Sequence, residues 1–129
     1  MHRSRLLNIV IDCNDLEAGT RFWSGALGRE PIDQDEEYTE LGPAIGGLLW
    51  VILQRVPEPK TCKSRVHLDF TTDDLESEVA RLEALGARRI EQIHGWWVMN
   101  DPCGNEFCVL PNWREEYADE AKTWEEPRT

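Results

Sequence analysis

Three short segments carry the side chains that could do chemistry. His67, Asp69 and Thr71 alternate with Val66, Leu68 and Phe70, and Asn8, Val10 and Asp12 alternate with Ile9, Ile11 and Cys13. Alternate residues of a strand share a face, so each segment has an apolar face and a face that carries polar groups. Aspartate and histidine seldom sit unpaired in a plain core, so such rows, turned inward, point to a wet concavity in which protons are moved or a cation is met. Glu106 adds to them. It shares a face with Cys108 and Leu110 on another strand-like run, where a carboxylate destabilises unless a cation or hydrogen bonds reach it. One of Trp96 and Trp97 should turn to the same side, and we assign Trp97 as an aromatic wall for a flat or apolar ligand, with packing into the core as the alternative. His94, next to Gly95, reads as an exposed turn residue.

The elements that must position these groups come from an internal repeat. Asn8–Glu17 is echoed without a gap by His67–Glu76, and each segment runs on to a Leu-Gly stop, Leu27-Gly28 and Leu85-Gly86. In both copies a side chain suited to capping stands three residues before a glutamate, Asn14 with Glu17 and Asp73 with Glu76, which predicts a capping box. Leu75, Val79, Leu82 and Leu85 form an apolar stripe at helical spacing, and Phe22, Trp23, Ala26 and Leu27 form a shorter, bulkier one. Gly28 and Gly86 suit the left-handed position that ends a helix.

Strands are predicted over 37–41, 47–54, 88–93, 96–99 and 106–110. Asp101-Pro102-Cys103-Gly104-Asn105 reads as the turn of a hairpin between the last two. Residues 55–65, with Pro57 and Pro59, read as a linker. The reading is therefore an α+β chain of two tandem βαβββ modules, about 6–56 and 65–111, forming a cupped mixed sheet around a cavity within a single domain. In the tail, 112–129, the spacing of Trp113, Tyr117 and Trp124 predicts a helix packed on the sheet.

Composition excludes several classes of partner. With 25 acidic against 14 basic residues the formal charge is −11, a surface that repels phosphate backbones and anionic headgroups. Nucleic acid and membrane are not expected partners. No run approaches the roughly 20 apolar residues of a bilayer span, and the N-terminal segment is too short and interrupted for a secretory signal. The four cysteines form no CxxC pair and read as reduced thiols, so a cytoplasmic location is expected. Phosphate-loop, dinucleotide, serine-hydrolase and HExxH signatures are absent.

The order of Asp15-Leu16-Glu17, Phe22-Trp23, Ala26-Leu27-Gly28, His67-Leu68-Asp69-Phe70 and Asp101–Phe107 resembles the vicinal oxygen chelate group of glyoxalases, bleomycin-resistance proteins and extradiol dioxygenases, over about residues 6–111. The resemblance is greatest to small glyoxalase-like domain proteins. It implies up to four metal ligands, at the start of each module's first strand and late in each module, which fall on Asn8, Gln54, His67 and Glu106. Only His67 and Glu106 are strong ligands. Asn8 and Gln54 are neutral amides, better suited to contacting a ligand.

Two functions follow from that resemblance. In the first, His67 and Glu106 hold a divalent ion (zinc, nickel, iron or manganese) that polarises vicinal oxygens of a small substrate, while Asp69 or Asp12 moves a proton in a lyase, isomerase or dioxygenase reaction. In the second, the cavity sequesters an aromatic or antibiotic-like ligand with no metal or other cofactor. A role as an interaction module ranks behind both. The resemblance also implies a homodimer.

Overall fold

A computed structural model describes residues 1–42 and 49–125. The chain divides into two compact units, Met1–Thr61 with Pro102–Gly104, and Cys62–Asp101 with Asn105–Thr129. Their element order is the same. The first runs β1 (Asn8–Cys13), α1 (Leu16–Leu27), β2 (Glu30–Gln34), β3 (Tyr38–Gly42) and β4 (Trp50–Arg55). The second runs β5 (Leu68–Thr71), α2 (Leu75–Ala84), β6 (Arg88–Ile93), β7 (Trp96–Asn100) and β8 (Glu106–Leu110). The tandem βαβββ reading is therefore correct. The mixed sheets have orders β1-β4-β3-β2 and β5-β8-β7-β6, each with its first strand parallel to its last.

In the first unit, Ile9 and Ile11 pair with Val51 and Leu53, and these with Leu41 and Thr39. Val51, Leu53, Leu41 and Thr39 are buried, together with Phe22 and Trp23 of α1. The helix lies close to the sheet, because a Cβ on Gly19 would come within 2.5 Å of Cys13 Sγ. Thr20 of α1 and Thr39 of β3 join hydroxyls at 2.9 Å, which satisfies polar groups that burial would otherwise penalise.

In the second unit, Val79 and Leu82 of α2 are fully buried, as are Phe107, Val109 and Met99 of the sheet. Arg89, the register partner of Met99, reaches Glu83 at 3.0 Å and Glu76 at 3.3 Å on α2. This fixes the face of the sheet that α2 covers. It carries Phe107, Val109, Met99 and Arg89.

Several expectations are corrected. The helix caps are Asp15 and Asp74, one residue later than Asn14 and Asp73: Asp15 Oδ1 accepts from Ala18 N–H at 3.1 Å and Asp74 Oδ1 from Ser77 N–H at 3.2 Å. The cap lies just before the first helical leucine, and its carboxylate meets the third helical N–H, so Glu17 and Glu76 form no part of it. Gly28 ends α1 at φ 64°, and Gly86 follows α2 at φ 117°, as expected. Strand β2 was not predicted. Pro31 and its charged neighbours mask it, yet proline is tolerated on an edge strand, which β2 is. Of the run predicted over 47–54, residues 47 and 48 lie outside the described residues.

Among the described residues of the tail, the predicted helix is reduced to one 3-10 turn, Glu115–Tyr117. Glu115 with Asp119 and Glu116 with Glu120 would set like charges four apart, and a short isolated helix is marginal even without that repulsion. Trp113 still meets Tyr117, with ring centroids 5.9 Å apart, and Trp124 lies under Arg81, whose guanidinium is 3.7 Å from the ring centroid.

Candidate active site

The strand register decides which side chains share the face that α2 leaves uncovered. Asp69 pairs with Cys108 and Thr71 with Leu110, while His67 and Glu106 each stand one residue ahead of the Leu68–Phe107 pair. Cys108 pairs in turn with Val98, and Glu106 with Asn100. Side chains of paired residues project to the same side of a sheet, so His67, Asp69, Glu106, Cys108 and Asn100 form one polar surface on β5, β8 and β7.

His67 Nδ1 lies 3.1 Å from Asp69 Oδ1. Donor atoms of His67, Asp69 and Cys108 lie within 4.8 Å of one another, the one such group of three or more among the described residues. Burial, reinforced by the charge of Asp69 and a hydrogen bond to it, pushes the Cys108 thiol above its ordinary pKa. Glu106 is turned elsewhere, with its Oε2 2.8 Å from Lys63 Nζ. The hydrogen bond to Glu106, and after it the carboxylate's charge, raise the Lys63 pKa. Asn100 Oδ1 is buried and has no partner among the described residues.

Trp97 does not join this surface. It pairs with Val109, so it belongs to the α2 face, and the Arg89 guanidinium stands 4.9 Å from its ring centroid. Parity places Trp96 on the polar side, because Trp96 pairs with Ile93 in the register that also pairs Gln92 with Trp97. Sequence alternation shows that the two rings point apart but not which is outward. The sequence puts Cys108 on the face of Glu106 without assigning it a role, whereas Lys63 lies in the linker and has no periodic signal.

On the first unit, Asn8, Val10 and Asp12 share a face with Trp50, Ile52 and Gln54. Asp12 is the direct partner of Gln54, but Asn8 pairs with Trp50, four residues along the strand from Gln54 and so roughly 13 Å away. Asn8 and Gln54 are thus not neighbours. By register, the counterpart of Glu106 in the first copy is Trp50. His94 and Gly95 form the β6–β7 turn with φ of 45° and 95°, the pair of positive values that a tight hairpin turn requires.

Residues 8–110 match the family model described as a glyoxalase-like domain. The chain belongs to the glyoxalase-like domain family. This places it in the vicinal oxygen chelate superfamily. No curated protein sequence matches it significantly. Solved structures share the fold at low identity. A glyoxalase/bleomycin resistance protein/dioxygenase family enzyme from Burkholderia phytofirmans is 19% identical over 79% of this chain and 94% of its own, with a TM-score of 0.61. The fosfomycin resistance protein FosX of Mesorhizobium loti is 20% identical over 92% and 99%, with a TM-score of 0.65. The FosX of Listeria monocytogenes, complexed with Mn(II) and sulfate, is 18% identical over 92% and 98%, with a TM-score of 0.64. This glyoxalase-like chain has no helix long and apolar enough to cross a membrane among its described residues.

Proposed function

We propose that the chain binds a small molecule on the polar face of its second sheet and acts there as a divalent-metal-dependent enzyme, a lyase, isomerase or dioxygenase of the vicinal oxygen chelate type. The observation that carries this reading is the convergence of imidazole, carboxylate and thiol donors on the face that α2 leaves uncovered. Imidazole with a carboxylate fits zinc, nickel, iron(II) or manganese, since it combines nitrogen with an anionic oxygen. The manganese-loaded Listeria relative supports a metal in this fold. A bound ion would supply Lewis acidity toward vicinal oxygens of the substrate.

His67 would hold the ion, with Glu106 as its expected partner. Asp69, whose Oδ1 lies 3.1 Å from His67 Nδ1, would take a proton from a group bound beside that ring. Trp96, rather than Trp97, would supply the aromatic wall. For the first unit, taken by itself, Asn8 and Gln54 would be ligand contacts and Asp12 a proton acceptor. A cytoplasmic homodimer is the expected form, and a monomer in light scattering at micromolar concentration would refute the dimer.

A second reading, metal-free sequestration of an aromatic or antibiotic-like ligand, is favoured by the Lys63–Glu106 pair, because an ammonium already neutralises that carboxylate. Metal analysis of the purified chain, followed by titration with zinc, nickel, iron(II) and manganese, separates the two. The metal reading expects at least one ion to bind more tightly to the native chain than to the His67→Ala, Glu106→Ala double variant. Equal binding would leave the sequestration reading.

A further inference from the structure

The expected partner of His67 and the group actually gathered around it are different. Glu106 is held by Lys63, whereas Asp69 and Cys108 are direct register partners on β5 and β8, with His67 two residues before Asp69 on the same face. The three donor atoms already lie within 4.8 Å of one another, so a single ion could meet them with small side-chain rotations.

We propose that a soft divalent cation of the zinc or cobalt(II) type binds here through His67, Asp69 and the thiolate of Cys108, with Glu106 outside the first set of ligands. This rests on the metal reading above and changes its donor set. One nitrogen, one carboxylate oxygen and one thiolate sulfur make three protein ligands, which leaves a tetrahedral ion one open position for water or substrate. On binding, the Cys108 S–H bond breaks, its proton passes to solvent, and sulfur donates the electron pair to the ion. A thiolate in the set selects zinc or cobalt(II) over manganese or magnesium. Asp69, as a ligand, is then withdrawn from proton transfer.

Cobalt(II) titration of the reduced full-length chain tests this, because a cobalt–thiolate bond produces an intense near-ultraviolet charge-transfer band that nitrogen and oxygen ligands do not. The band is expected in the native chain and in Cys62→Ser, and is expected to be lost in Cys108→Ser. Asp69→Asn, a change at an exposed residue, should weaken cobalt binding by at least about tenfold, the lower end of losses seen when even indirect partners of a metal are changed. Sulfur scattering in the X-ray absorption spectrum of the zinc-loaded native chain provides a readout that needs no variant to fold. A chain that binds cobalt without the band, and loses binding in Glu106→Gln, would overturn this inference and leave the metal reading standing. A chain that binds no cobalt or zinc would overturn this inference, and one that binds no nickel, iron(II) or manganese either would overturn both.

Discussion

Lys63 Nζ lies 2.8 Å from Glu106 Oε2, so the carboxylate that family resemblance assigns to a metal is already met by a cation of the chain itself. Lys63 is largely exposed and Glu106 is largely buried, at 74% and 15% side-chain exposure, so the ammonium can leave into water while the carboxylate cannot. Replacing Lys63 by alanine removes a competing positive charge beside the donor group. We expect zinc affinity, measured by calorimetry, to rise by up to about fivefold, the scale of an exposed ion pair. A fall in affinity would mean that Lys63 supports the site.

Gly19 is set by the close approach of α1 to β1. A helical Gly→Ala change ordinarily gains about 1 kcal/mol of helix propensity. Here the added Cβ would meet Cys13 Sγ at 2.5 Å and Cys13 Cβ at 3.2 Å, and Cys13 is fully buried, so the overlap outweighs the gain. Gly19→Ala should destabilise by about 1–3 kcal/mol in urea unfolding. The second change Cys13→Ala should recover part of that loss, and its failure to do so would place the strain elsewhere.

Glu78 is buried on α2 and accepts two hydrogen bonds from Arg81, one of them from Nη2 at 3.1 Å, while the other side of the guanidinium faces Trp124. Glu78→Ala leaves that guanidinium without its carboxylate in a poorly hydrated place, with an expected loss of about 3 kcal/mol. Trp124→Ala removes only a cation–π contact at an exposed ring, about 0.5–1 kcal/mol. Urea midpoints of the two variants should differ in that order. The reverse order would show that the tail carries more of the fold than this contact implies.

Acid should weaken the second helix through its cap. The N–H of Ser77, and then its hydroxyl, hold the Asp74 carboxyl below its ordinary pKa of 3.8. A carboxylate with a depressed folded pKa adds stability that is fully present above the unfolded value and is lost as pH falls through the folded one. Native stability should therefore drop on acidification below about pH 4, and Asp74→Ala should drop less over the same window. Identical pH dependence of the two melting temperatures would remove Asp74 from the account.

The candidate site was partly legible beforehand. Alternation in His67–Thr71 and in Glu106–Leu110 gave the correct faces, because period-two burial is a local property of any half-covered strand. It could not choose between Trp96 and Trp97, since both orders satisfy alternation and only pairing with Val109 places Trp97 under Arg89. Gln54 failed as a counterpart of Glu106 for a similar reason. Position late in a module is a sequence idea, whereas the strand register sets Trp50 beside Asn8.

By itself the sequence determined the tandem repeat, the two helices with their glycine stops, and the polar rows opening with Asn8 and His67, all of which depend on neighbours a few residues away. The tertiary structure alone decided that Cys108 lies beside Asp69, that Lys63 meets Glu106 and that Gly19 lies over Cys13. Those contacts join residues 39, 43 and 6 positions apart, through strand pairing, a linker excursion and helix packing. Periodicity records which side a residue faces. Which other residue waits there depends on register and on the path of the linker, and no local pattern encodes either.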